Sequence, residues 1–232
     1  MNLSISIMAS PSRMWHVEKM LERLSPYEPR VLVDRYHEGC WATAKRAWAA
    51  FDRAADQHLV LQDDVYTCPN FKAGCEAALS ALPDPRPVSF YANRKVIEEA
   101  RSAGSAWALI DGGTWGQAMS LPTHLIPEFF EWERERVKPE FQHDDSRTAM
   151  FCVERELMVH CTVPSLVEHV GHAHSLFGHS APVKRVARWY IGEADPTEIN
   201  WTAGLHNPPR DKSSTVLSRY GHFLKERPDH AA

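Results

Sequence analysis

The chain has 232 residues and a mass of 26.4 kDa; 44% of the residues are hydrophobic and 24% charged, and 26 basic against 30 acidic residues leave a formal charge of -4. A chain of this size and composition builds a core without disulfide or metal staples, and no global positive field marks it as a nucleic-acid or anionic-membrane binder. The five cysteines, Cys40, Cys68, Cys75, Cys152 and Cys161, are odd in number, irregularly spaced and without a C-x-x-C pair, which favours reduced thiols in a cytosol. Nowhere do about 18 apolar residues run uninterrupted, so no membrane-spanning helix is expected. The opening MNLSISIMASPSR has too short an apolar run, and no charged region before it, for a secretion signal. A cytoplasmic location is the expectation.

In chain order, Leu3 to Met8 alternates apolar and polar residues and breaks at Ser10-Pro11-Ser12, the pattern of a strand feeding a loop. Val17, Met20, Leu21 and Leu24 fall on one helical stripe that Ser25-Pro26 stops, and Val31-Leu32-Val33 is a short apolar strand ending in Asp34. After Gly39, Trp41, Ala44, Trp48 and Phe51 recur at helical spacing, before the run Leu59-Val60-Leu61 leads into Gln62-Asp63-Asp64. Further on, the pattern predicts a helix over 71–82, a strand over 88–91, an apolar stretch over 106–110 and a glycine-rich junction at 112–116. Helices follow over 125–137 and 144–157, then a strand within 158–170 that ends in a His-rich loop, and a helix near 213–225. Short buried strands alternating with amphipathic helices predict an α/β fold, three-layer α/β/α with a mostly parallel central sheet and Rossmann-like. Residues 1–180 are read as the main domain and 181–232 as an extension packing on it or extending it.

Adjacent carboxylates leaving the end of a buried strand, Asp63 and Asp64, are costly to bury unpaired. They belong at the carboxyl end of the sheet, where open α/β sheets bind ligands and a hard divalent cation finds oxygen ligands. Capping of the following turn would use the same residues. His169, His172 and His174 crowd a loop after a strand; imidazole is a metal ligand when neutral and a phosphate partner when protonated. Solvent-exposed loop histidines are an equally ordinary reading. In 110–117 the glycines let backbone approach a ligand, and Trp115 offers a face to a sugar ring or simply fills a core.

The order of these features resembles a GT-A-type nucleotide-sugar glycosyltransferase of the small bacterial or phage kind. The carrying residues are a first strand ending in Ala9-Ser10-Pro11-Ser12-Arg13, a second ending in Asp34, the turn in LVLQDDV, Trp115-Gly116-Gln117, Asp144-Asp145, and VPSLVEHVG. The resemblance implies Asp64 as principal ligand of Mn²⁺ or Mg²⁺, Asp63 aiding the ribose or the metal's water shell, and His169 approaching the same cation or the diphosphate, with His174 and His172 in reserve. It implies that Ala9, Ser10, Pro11 and Arg13 lie beside base and ribose, with Asp34 as a further hydrogen-bonding group. Lys45 and Arg46 would offset phosphate charge, or form a solvated helix face. Trp115, Gly116 and Gln117 would meet donor sugar and acceptor. Asp145, with Asp144 behind it, would be the base that deprotonates the acceptor hydroxyl, although Asp at a helix start is also an ordinary cap.

The implied donor is a UDP-sugar such as UDP-glucose. Among acceptors, a 5-hydroxymethylpyrimidine in phage DNA is suggested by size and motif order. The basic-aromatic stretch Lys184, Arg185, Arg188, Trp189 and Tyr190, with Arg210, Lys212, Arg219, Lys225 and Arg227 further on, suits phosphates, and acidic neighbours dilute it. A glycan or lipopolysaccharide acceptor is the alternative. A metal-dependent hydrolase, a nucleotidyltransferase or a non-catalytic nucleotide-sugar sensor would draw on the same carboxylates.

Overall fold

Every residue of the first strand, Leu3–Ala9 (β1), is buried, although its alternation predicts one solvent-facing side. Leu3, Ile5 and Ile7 enter one core cluster, while the opposite face is polar yet covered. There Ser4 and Ser6 meet the buried His58, whose ring lies 2.8 Å from Ser4 Oγ, 3.1 Å from Ser6 Oγ and 2.9 Å from the Ala47 carbonyl. Burial holds His58 down to a pKa of about 4, so it stays neutral and acts as a structural hydrogen-bonding group. Serine and histidine therefore substitute for an apolar face because a helix covers them and satisfies their hydrogen bonds.

The computed structural model describes residues 1–112, 115–170, 185–208 and 216–226. Its remaining elements are helix Met14–Leu24 (α1), strand Arg30–Val33 (β2), helix Cys40–Ala49 (α2), strands Gln57–Gln62 (β3) and Val65–Thr67 (β4), and helix Phe71–Ser80 (α3). Then come strand Val88–Ser89 (β5), helix Lys95–Ser102 (α4), strands Trp107–Ile110 (β6) and Ala118–Pro122 (β7), and helices Leu125–Arg136 (α5) and Asp144–Glu154 (α6). Strands Val159–Thr162 (β8), Val167–His169 (β9) and Leu205–His206 (β10) and helix Val216–Tyr220 (α7) complete the order.

Eight strands form one sheet in the order β10-β6-β8-β5-β7-β3-β1-β2, and β4 pairs with β9 in a small second sheet. Four of the seven ladders are parallel, and β7 enters antiparallel to both β3 and β5. Apolar stripes of α1 and α3 pack on one face with Leu59 and Leu61, and those of α2, α5 and α6 on the other with Val60, which gives the three layers. The structure thus has the mixed three-layer α/β/α architecture that the alternating elements predict.

Several elements depart from the sequence pattern. Helix α2 stops at Ala49, short of Phe51, and the expected strand over 88–91 pairs in the sheet only at Val88–Ser89. The stretch 158–170 is two strands split at Pro164, in different sheets, because proline cannot donate to a ladder. Helix α4 and strand β7 were not anticipated, although Ile97 and Ala100 in α4 carry a helical stripe. Residues 185–208 lie against the main body: Ser165 bridges to Tyr190, and β10 extends the sheet beside β6.

One buried ion pair ties α5 to α6. Arg147 is fully buried, donates to Glu133 and to the Phe141 carbonyl, and lies 4.4 Å over the Trp41 ring. Replacing only one member leaves a buried charge short of its partner. Arg147→Met is expected to lower the unfolding free energy by about 3 kcal/mol in urea titrations, and Glu133→Leu combined with Arg147→Met to recover most of it.

Candidate functional site

Parallel pairing brings the carboxyl ends of β1, β2 and β3 to one edge of the sheet. Because β7 runs antiparallel to β3, with Leu61 opposite Ala118, the residues just before β7 arrive at that same edge. The Gln62 N–H donates to the Gln117 carbonyl at 3.0 Å and continues the ladder by one bond. Three chain segments far apart in sequence, 10–13, 62–64 and 115–117, are thereby held side by side.

The first loop turns as a short 3-10 segment, Pro11–Arg13, and both carboxylates after β3 reach it. Asp63 accepts the Ser10 N–H at 2.5 Å and an Arg13 guanidinium N–H at 2.7 Å. The same Arg13 nitrogen is 3.3 Å from Asp64 Oδ2. On the far side His169 Nε2 lies 3.5 Å from Asp64 Oδ2, placed there by the β4–β9 pairing, in which Val65 stands opposite His169. Asp64 Oδ1 and both His169 ring nitrogens are buried without a hydrogen-bond partner among the described residues. Burial raises the pKa of Asp63 more than Ser10 and Arg13 lower it. Burial also pushes Asp64 upward, but the His169, Arg13 and Arg185 side chains facing it outweigh that and bring it below the ordinary range. The surroundings thus favour the ionised form of Asp64 more than that of Asp63.

On the opposite wall, α6 begins with Asp144 and Asp145. Asp144 is 7% exposed and accepts from Gln62 Nε2 and Cys40 Sγ, each at 3.1 Å. Burial and the neighbouring Asp145 charge raise its pKa to about 6. Asp145 Oδ1 accepts the Ser146 N–H at 2.6 Å and its hydroxyl at 3.1 Å, so part of this carboxylate does serve the helix start. A Cβ on Gly116 would sit 2.6 Å from Gln62 Nε2 and 3.0 Å from Asp144 Oδ2, which is why glycine stands where these side chains converge. Asp34 is occupied differently: its two oxygens accept the Glu38 and Gly39 N–H groups at 2.8 and 3.2 Å, and Gly39 takes a φ of +100° to close that loop.

Together these segments line one cleft of about 550 Å³. Of the residues that the sequence singles out, Ala9, Ser10, Pro11, Arg13, Asp34, Asp63, Asp64, Trp115, Gln117, Asp144 and Asp145 line it. Gly116 packs behind the wall, and His169 backs Asp64. Lys45 and Arg46 are not among the lining residues: Lys45 pairs with Glu133 at 2.9 Å and Arg46 with Glu38 at 2.7 Å. His172 and His174 lie outside the described residues. Sequence reasoning missed Gln62, Cys40 and Thr43, and it named Arg185 only within a basic-aromatic stretch suited to phosphates, not as part of this cleft. Gln62 was legible as the neighbour of Asp63 at the strand end, whereas Cys40, on the first turn of a helix, carried no signal.

Among the described lining residues, five aspartates against Arg13 and Arg185 leave three formal negative charges in excess. Such a wall repels a diphosphate unless a cation intervenes. Asp64, ionised and with one unpartnered oxygen, and His169 beside it form a donor set that suits a divalent cation completed by water and phosphate oxygens. Trp115 hydrogen-bonds through Nε1 to Asn93 at 2.6 Å, has the Arg185 guanidinium 5.9 Å from its ring, and presents an apolar wall to the cleft.

The sequence matches no family model and no curated protein. Among solved structures the chain is similar to the A197 protein of STIV, at 14% identity over 84% of this chain and 97% of that one, with a TM-score of 0.48. It is also similar to mannose-1-phosphate geranyltransferase from Thermus thermophilus, at 13% identity over 70% of this chain and 74% of that one, TM-score 0.40. A third is a Drosophila β-1,4-galactosyltransferase 7 variant in complex with manganese, UDP-Gal and xylobiose, at 10% identity over 79% of this chain and 75% of that one, TM-score 0.43. At 10 to 14% identity, what the site does must be argued from its own residues.

Two outcomes follow from the Gln62, Asp144 and Gly116 cluster. The folded chain keeps the Asp144 proton up to about pH 6, whereas the unfolded chain releases it near the ordinary aspartate value of about 4. Over that interval the native state binds more protons, so Asp144 makes stability fall as pH rises, by on the order of 1–3 kcal/mol in total. Asp144→Asn is expected to be more stable than the parent at pH 7 and to flatten this slope, read from denaturant midpoints between pH 4 and 7. Gly116→Ala forces the Gln62 amide off the carboxylate; it is expected to remain folded by circular dichroism while ligand-dependent stabilisation of the cleft falls at least about fivefold.

Proposed function

We propose that this chain is a metal-dependent glycosyltransferase that moves a sugar from a nucleoside-diphosphate sugar, UDP-glucose being the first donor to try, to an alcohol. One observation carries the reading. A single acidic cleft has an ionised, half-partnered Asp64 on one wall, backed by the buried His169, and the Asp144–Asp145 pair on the other, with an apolar tryptophan face also lining it. Transfer between oxygen atoms needs those separate functions: neutralisation of the leaving diphosphate and a base for the incoming hydroxyl.

Asp64 and His169 would hold Mn²⁺ or Mg²⁺, which when bound supplies charge stabilisation to the departing diphosphate. The loop Ala9 to Arg13, with Asp63 bound to the Ser10 N–H, would border the nucleoside. Trp115 would stack on the sugar and keep water from the anomeric carbon. Asp145 would take the acceptor proton. Asp144, pushed up to about 6 and bound to Gln62 and Cys40, would shape that carboxylate's surroundings.

Acceptor class follows from charge. Outside the cleft, several cations of the described surface are already engaged: Arg188 lies 3.5 Å from Glu98, Arg101 covers the Trp189 ring, and Arg23 pairs with Glu193 at 3.0 Å. Among the described residues these three cations are thus paired rather than open to a nucleic-acid backbone, while Lys184, Arg210, Lys212 and Arg227 lie outside the described residues. A glycan alcohol is the acceptor class we favour, and hydroxymethylated DNA is the rival to assay beside it.

The test is mass-spectrometric detection of a sugar-bearing product from UDP-sugars and Mn²⁺ with glycan and hydroxymethylated-DNA acceptors. Asp64→Ala is expected to abolish metal-dependent transfer in a folded protein; full activity in that variant rejects the metal assignment. Asp145→Asn is expected to keep donor affinity and slow transfer by about 10²-fold or more, and unchanged turnover removes it as the base. Donor cleavage without any glycosylated product would make the chain a hydrolase, and donor binding without turnover a sensor.

A further inference from the structure

Arg13 makes two contacts that a dication would contest. Its guanidinium nitrogen lies 2.7 Å from Asp63 Oδ1 and 3.3 Å from Asp64 Oδ2, in a pocket where the Arg13 side chain is 14% exposed and the two carboxylates 7% and 11%. The two contacts are unequal in strength. Asp63 uses both oxygens, one on Arg13 and one on the Ser10 N–H. Asp64 has only the longer contact to Arg13 and the His169 approach on Oδ2, while Oδ1 has no hydrogen-bond partner among the described residues. A guanidinium on Asp64 Oδ2 and a divalent cation on its unpartnered Oδ1 would stand a few ångströms apart in a buried site and repel each other, so each weakens the other's hold on this carboxylate.

We infer that Arg13 is the resident counter-ion of the Asp63–Asp64 pair, that a divalent cation reaches Asp64 only as Arg13 withdraws from it, and that the incoming diphosphate draws Arg13 away. Arg13 is then a positioning residue that makes cation loading depend on the nucleotide. Its place supports this: it ends a single 3-10 turn directly before α1, opens onto the cleft, and faces the same space as Arg185, the other guanidinium lining it. Before the nucleotide arrives, the guanidinium stabilises two adjacent buried carboxylates. With the diphosphate present, phosphate oxygens offer it replacement acceptors, and Asp64 becomes open to the metal. Each ligand thereby strengthens the other by the same factor.

This inference rests on the proposed cation site, and the experiment separates the two. Mn²⁺ binding is measured by electron paramagnetic resonance on the full chain, with and without UDP, for the parent, Arg13→Gln and Arg13→Met, with a thermal melt of each as a second readout. Both variants are expected to bind Mn²⁺ alone about tenfold more tightly than the parent, and to show a correspondingly smaller gain on adding UDP. Chelation of Mn²⁺ by UDP itself is common to all three proteins, so the difference isolates Arg13. Mn²⁺ is also expected to raise the melting temperature of the variants more than that of the parent. If the parent binds Mn²⁺ with UDP but neither variant binds Mn²⁺ alone more tightly, the counter-ion inference is overturned while the site reading stands. If no protein binds Mn²⁺ even with UDP, the site reading fails and the inference falls with it.

Discussion

The position of β3 between β1 and β7 is the constraint on which the site depends. Parallel to one neighbour and antiparallel to the other, β3 makes a single sheet edge the meeting place of two strand ends and one strand start. The register is held by burial on both faces, Leu59 and Leu61 toward α1 and α3 and Val60 toward α2 and α5. A slip of one residue would turn Asp63 and Asp64 toward opposite layers and strand their charges in apolar packing. The hydrophobic register and the polar cleft are therefore two consequences of the same pairing.

Charge in the cleft is organised by partnering rather than by exposure. Asp63 is bound at both oxygens, Asp144 is held by an amide and a thiol, and Asp34 is consumed by its own loop. Asp64 alone combines ionisation with a buried, unpartnered oxygen among these described carboxylates. Neighbouring carboxylates in one cleft thus acquire different chemistry because burial and hydrogen bonds act on each separately. Glycine at 116 is part of the same arrangement: its missing side chain is the space into which Gln62 and Asp144 fit.

The polar interior beneath the cleft follows the same rule. His58, Ser4 and Ser6 form a buried hydrogen-bonded set against α2, and Arg147 with Glu133 locks α5 to α6. Both sets bury groups that hydropathy alone assigns to the surface, and both hold helices of the layer that carries Asp144. The alternation of Leu3 to Met8 is thus a true strand signal with a misleading exposure: period two is a property of the backbone, while which face meets solvent depends on what packs there.

By itself the sequence determined the local elements with strong periodicity, namely β1, α1, α2, β3, α5 and α6, and it marked Asp63, Asp64, Asp144, Asp145 and Trp115 as polar or aromatic groups at element ends. Those features are legible because they depend on residues within a few positions of one another. Only the tertiary structure decided that segments 10–13, 62–64, 115–117 and 144–145 share one cleft, that Lys45 and Arg46 turn instead to Glu133 and Glu38, and that Arg13 sits between the two carboxylates. Strand order and layer packing bring Cys40 against Asp144 across 104 positions and Gln62 against the same carboxylate across 82, and no local spacing encodes such distances.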